Sequence, residues 1–220
     1  MRTGLGHHMR ITLTLGAAVI AAGLMHGPAQ SAGPTRGMEA HGHAVEHGST
    51  LPPVGFVKFC ARNPGECRGG APALGKLAMS GERWRIVRQL NAYVNGKISP
   101  MSDAELYGED EYWTYPSKAG DCEDYVLMKK RYLEEIGFAG SNLLITVVLD
   151  EKNEGHAVLT LRTDEGDFVL DNRRNEIRRW SDLGYVFLKR QSERDPRQWV
   201  SLRSEGLTAS AMLSAPHLSK

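Results

Sequence analysis

Apolar positions repeat first at helical spacing and then at strand spacing, and the change falls near Asn142. Trp84, Val87, Leu90 and Val94 recur every three or four residues between Ser80 and Asn95, which predicts an amphipathic helix stopped by Asn95-Gly96. Ser102-Asp103-Ala104-Glu105 carries the serine and glutamate of a capping box and predicts one helical turn. Glu111 to Ala119 holds Tyr112, Trp113, Tyr115 and Pro116 and reads as a loop. A second helix opens at Gly120-Asp121 with Asp121 as N-cap. Tyr125, Val126, Met128, Tyr132, Leu133 and Ile136 mark its buried side, and Gly137 ends it. Beyond Asn142 the segments Leu143 to Leu149, His156 to Arg162 and Asp167 to Asp171 read as strands joined by short turns. His156, Val158 and Thr160 fall on one face of the middle strand, with Ala157, Leu159 and Leu161 on the other. Tyr185 to Leu188 and Trp199 to Leu202 are further strand candidates. Helices followed by strands with short connections predict an α+β fold with an antiparallel sheet.

Outside this region the pattern is lost. Residues 1–32 have an Arg2/Arg10 n-region, an apolar run from Ile11 to Met25 and small residues at Ala29-Gln30-Ser31-Ala32, the layout of a signal peptide. The run is shorter than a spanning helix needs, and no later segment reaches that length, so the mature chain is expected to lack a transmembrane span. Residues 33–53 are rich in Gly, His, Ser and Pro and read as a flexible linker, with His41, His43 and His47 solvated in it. The folded domain is expected over 54–204, followed by a loose tail over 205–220.

A net charge of +1 gives no reason to expect a nucleic acid partner. The basic run Arg173, Arg174, Arg178 and Arg179 reads most simply as a solvated loop, with an acidic partner or substrate segment as the alternative. The three cysteines, in an exported chain, suggest one bridge and one free thiol. Cys60 and Cys67 flank the turn signal Asn63-Pro64-Gly65, which favours a local disulfide between them; pairing of Cys122 with either would consume its thiol.

Cys122 then falls in the first turn of a helix, where unpaired N–H groups and the helix dipole favour a thiolate. Its neighbours Asp121 and Glu123 oppose this, so a nearby cation is needed. Among the eight histidines only His156 lies inside a predicted element. Asp171 ends the next strand, and antiparallel pairing brings the start of one strand beside the end of its neighbour. A thiol, a base and a carboxylate that orients the base are the parts of nucleophilic acyl transfer.

Gly120-Asp121-Cys122-Glu123-Asp124-Tyr125, Gly155-His156-Ala157-Val158-Leu159 and Leu170-Asp171-Asn172 resemble the three motif blocks of the bacterial transglutaminase-like cysteine peptidases, with the LapG-type periplasmic peptidases as the nearest branch. The resemblance covers about Phe59 to Leu202, and the Cys60/Cys67 pair fits it. It implies a papain-like fold, with Cys122 as nucleophile, His156 as proton shuttle and Asp171 as the group that holds the ring. It also implies calcium beside the nucleophile, with Asp121 and Glu123 at the acidic ligand positions and Asp124 in support. The implied partners are a protein substrate, by precedent a large biofilm adhesin, and an inner-membrane receptor that sequesters the peptidase. Trp113 and Tyr115 are the aromatics expected to line the substrate cleft. The same triad serves a transglutaminase or amidase, and a calcium-dependent binding module with a vestigial triad is the third reading.

Overall fold

Runs of leucine and β-branched residues after Asn142 pair into one sheet in the computed structural model, which describes residues 42–68 and 75–203. All of these belong to one unit, Arg36–Lys220. In chain order the elements are β1 (Ser49–Thr50), α1 (Val54–Arg62), α2 (Gly81–Lys97), β2 (Ser99–Pro100), α3 (Asp103–Tyr107) and β3 (Ala119–Gly120). They continue with α4 (Cys122–Glu135), β4 (Leu143–Leu149), β5 (Gly155–Thr163), β6 (Gly166–Asp171), β7 (Arg174–Arg179), β8 (Val186–Gln191) and β9 (Trp199–Ser201). Seven strands form an antiparallel sheet in the order β1-β9-β8-β4-β5-β6-β7. The fold is α+β, as expected. No helix among the described residues is long and apolar enough to cross a membrane.

Strand alternation sorts the sheet into two faces. Ile145, Val147, Ala157, Leu159 and Leu161 join Phe56, Phe59, Val126, Leu127 and Leu133 of the helices in the main core. Val148, Val158, Val169, Tyr185 and Phe187 form a smaller cluster on the other face. The helix over Ser80 to Asn95 runs two residues further, with the Ser80 hydroxyl accepting from the Arg83 amide at its start. The Ser102/Glu105 capping box forms and opens α3.

Two expectations change, and one helix was not anticipated. Residues 42–53, read as linker, are built into the fold. β1 pairs with β9, Ala44 is buried, and His43 and Glu46 reach buried charges on the sheet. Asp167, fully buried, accepts from His43 Nδ1 at 2.8 Å, the Ala44 amide at 3.0 Å and Arg190 at 3.0 Å, and pairs with Arg162 at 3.2 Å. This strap has no apolar period because polar contacts hold it. The basic run, read as loop, is largely the edge strand β7, whose charged side chains blunt an otherwise open row of backbone groups. A helix, α1, occupies the segment before the Cys60/Cys67 turn, with Phe56 and Phe59 inward. The segments read as a signal peptide over 1–32 and a loose tail over 205–220, with residues 33–41, 69–74 and 204, lie outside the described residues.

Asp167→Ala would leave Arg162 and Arg190 buried without their shared carboxylate. A loss of about 3 kcal/mol or more in urea unfolding is expected; a loss below about 1 kcal/mol would mean the strap is not anchored there.

Candidate active site

Gly120 makes the entry to α4 possible. A Cβ at this position would sit 2.5 Å from an Asp124 oxygen, so only glycine allows that carboxylate to fold back beneath the chain. Asp121 occupies the N-cap position, but its side chain makes no capping hydrogen bond. Cys122 follows, 1% exposed and free of any disulfide. The β5–β6 ladder stops at Leu159 and Leu170, and beyond it the Ala157 amide donates to Cys122 Sγ at 3.4 Å. The sulfur thus meets the strand one residue past His156. Its own proton points to Glu123 Oε2 at 3.2 Å. Burial, then the charges of Glu123 and Asp121, push the thiol pKa well up, against the opposing pull of the Ala157 amide.

His156 and Asp171 meet as the sequence predicts. The register that sets Leu170 opposite Leu159 makes Asp171 the diagonal neighbour of His156 on one face. His156 Nε2 lies 3.0 Å from Asp171 Oδ1, and both residues are 1% exposed. The Arg173 amide donates to the same oxygen at 3.0 Å, and the Tyr185 hydroxyl donates to Oδ2 at 2.7 Å. Burial alone would raise the Asp171 pKa, but its hydrogen bond to His156 and the histidine charge, with the Arg173 and Tyr185 donors, hold it below the usual carboxylate range. Tyr185 also packs edge-on against the His156 ring, with centroids 5.9 Å apart. The sequence marked Tyr185 only as the start of a strand candidate and not as part of the site, because it reaches Asp171 only across the sheet. No hydrogen bond joins His156 to Cys122; His156 Nδ1 has no partner among the described residues.

A buried acidic group surrounds the start of α4. Ligand oxygens of Asp103, Asp121 and Asp124 lie within 4.8 Å of one another. Four carboxylate oxygens here are buried without a hydrogen-bond partner among the described residues: Asp103 Oδ1, Asp121 Oδ1, Glu123 Oε1 and Asp124 Oδ2. Burial, with mutual repulsion, raises Asp121 to about 7 and Asp124 to about 8, and Glu123 well above its ordinary value. Such a set of hard oxygen donors fits a hard divalent cation. The group departs from the sequence expectation: Asp124, read as support, joins Asp121, Asp103 enters from α3, and Glu123, expected as a ligand, is not one of the three, its Oε2 accepting from the Cys122 thiol. The capping-box signal around Ser102 and Glu105 concealed Asp103.

The Cys60–Cys67 disulfide forms, with Cα atoms 5.6 Å apart. Trp113, expected at the cleft, is fully buried against Phe56, with its indole N–H on Glu111; an aromatic of that size found room in the core instead. Tyr115 is half-buried, edge-on to Phe59, and its hydroxyl donates to Glu66.

A free thiol at a helix start, next to the open end of the strand that carries a buried histidine paired with Asp171, brings together the residue types that nucleophilic acyl transfer uses. A family model described as bacterial transglutaminase-like cysteine proteinase matches residues 46–206, and the chain belongs to this family; it is a cysteine peptidase with a transglutaminase-like fold. A search of the curated proteins gives no match. Among solved structures, calcium-bound Legionella pneumophila LapG is 22% identical, with a TM-score of 0.47 over 59% of this chain and 78% of that one. EGTA-treated LapG from the same organism is 23% identical, with a TM-score of 0.46 over 60% of this chain and 75% of that one.

Asp121 and Asp124 keep protons up to about 7 and about 8, whereas unfolded carboxyls ionise near ~4. Between these values the folded chain binds more protons than the unfolded one, so stability falls as pH rises. Asp171 acts oppositely: its contribution is present above ~4 and lost in stronger acid. With divalent cations chelated, the melting temperature is expected to fall from about pH 5 to about pH 8, and Asp124→Asn to flatten that slope. A profile that is level in the unaltered protein would contradict this.

Proposed function

We propose that the chain is an exported cysteine peptidase that cuts a surface or exported protein through Cys122, His156 and Asp171. The observation that carries this reading is the buried His156–Asp171 pair beside the strand edge that receives the Cys122 sulfur. His156 Nδ1, without a partner among the described residues, is the ring atom left for the thiol. To react, the thiol leaves Glu123 and gives its proton to that nitrogen. Sγ then bonds to the peptide carbonyl carbon, and the Cys122 backbone N–H at the helix start is the expected donor to the oxyanion. His156 returns the proton to the leaving nitrogen as the C–N bond breaks, and water, with His156 as base, resolves the thioester. Asp171 fixes the ring throughout, held in turn by Tyr185 and the Arg173 amide.

Calcium is the cation this site suits, held by Asp121 and Asp124 with Asp103 and Glu123 alongside. It would supply the positive charge that offsets these carboxylates and favours the thiolate. The Cys60–Cys67 bridge supports a compartment outside the cytoplasm, in keeping with the signal peptide read over 1–32. A periplasmic location, a large adhesin as substrate and an inner-membrane receptor as regulator complete the reading by family resemblance.

Incubation with N-terminal adhesin fragments is expected to give cleavage that Cys122→Ala lowers roughly 10³-fold or more. EDTA should reduce both cleavage and melting temperature, with calcium restoring each. Undiminished cleavage by Cys122→Ala would sink the reading. Incorporation of a labelled amine into a glutamine donor, without cleavage, would assign the acyl-enzyme to transglutamination instead.

A further inference from the structure

The basic run after Asp171 holds two kinds of arginine. Arg178 pairs with Glu176, two residues away on its own strand. Arg173 and Arg174 instead reach back to the turn between β4 and β5, and their side chains are only 27% and 25% exposed. Arg173 Nη1 donates to Asp150 Oδ2, and Arg174 Nη2 donates to Glu151 Oε1 at 3.2 Å. The other Asp150 oxygen accepts from the Lys152 and Glu154 amides, both at 2.8 Å, so the turn that Arg173 grips is tied within itself. At their near ends the same two residues hold the Asp171 carboxylate. The Arg173 amide donates to Oδ1. Arg174 Nε lies 3.4 Å from Oδ2, and its Nη2 donates to the Tyr185 hydroxyl at 2.9 Å. A guanidinium carries five donors in a fixed plane, so one side chain can serve three acceptors.

These contacts fall where the backbone supplies none. The β5–β6 ladder ends at Leu159 and Leu170, short of both His156 and Asp171. His156 is laddered to Val148 of β4, and Asp171 to Arg174 of β7, but no ladder joins the two strands at the level of the pair. The ion pairs join the turn that leads into His156 to the turn that follows Asp171. We infer that Arg173 and Arg174 are positioning residues: they clamp those two turns together and so hold His156 against Asp171 across the gap in the sheet. The inference rests on the triad reading above. Partly exposed ion pairs add little to overall stability, so local geometry is the use that fits them. An acidic partner is the other use of such a run, but these two guanidinium groups are engaged by carboxylates of the chain itself.

The test combines kinetics with proton NMR of the His156 ring N–H that faces Asp171, the resonance being assigned by its loss in His156→Gln. Arg173→Met and Arg174→Met are expected to keep their melting temperatures within a few degrees of the unaltered protein. Exchange of the ring N–H with water should nevertheless quicken about tenfold in each. Arg173→Lys, which keeps a charge for Asp150, should return the rate toward its original value. On an N-terminal adhesin fragment both methionine variants should lose about tenfold in kcat with KM little changed. A raised KM at unchanged kcat would overturn the inference and assign the arginines to substrate contact. Unchanged exchange in a folded methionine variant overturns it too. Should a methionine variant fail to fold, Glu151→Ala, at the exposed far end of the clamp, must still quicken exchange by about threefold, and an unmoved rate there overturns the inference. Full cleavage by His156→Ala would instead overturn the triad reading, which separates the two failures.

Discussion

The first turn of α4 gathers three carboxylates and a thiol out of water, with Asp103 brought against them from α3. Helix-start N–H groups and the helix dipole offset part of this negative charge, but four buried oxygens still have no donor among the described residues. The surroundings of that turn follow from this concentration. Gly120 exists to let Asp124 fold under the chain, the Thr114 amide donates to Asp124, and the Tyr112 amide donates to Asp103. A loop that reads as irregular in sequence is thereby tied to the helix start through its backbone.

The sheet separates two kinds of chemistry. Its helix-covered face is apolar and positions α4 against β5 through Val126, Leu133, Ala157 and Leu159. Its other face carries the His156–Asp171–Tyr185 cluster near one end and the Asp167–Arg162–Arg190 cluster near the other. Both are buried polar groups tied together by several hydrogen bonds and ion pairs, which fixes side-chain orientation more sharply than apolar packing does. The sulfur reaches His156's neighbour because β6 ends early, so that the Ala157 amide meets Sγ in place of a strand acceptor.

Much of this was legible in local pattern. The α4 start, the three strands β4 to β6 and the alternation of His156 with Ala157 follow from spacing alone, because strand and helix periods are properties of contiguous residues. The strap over 42–53 was not legible: Glu46 finds Arg190 and His43 finds Asp167 across more than a hundred residues of chain, and composition there resembles a solvated linker. β7 was missed because an edge strand keeps charged residues where a central one alternates. Trp113 was misplaced because an aromatic in a polar loop fits a cleft or a core equally well until the neighbouring α1 is known.

By itself the sequence determined which residues could do the chemistry: one free thiol at a helix start, one histidine inside an element and one carboxylate a hairpin away. Tertiary structure alone decided how they are held. It placed Tyr185 on Asp171, drew Asp103 into the acidic group and turned the thiol toward Glu123. The physical reason is range. Helix and strand periods act over a few residues, whereas burial and electrostatics act through space and depend on which distant segments the fold brings together.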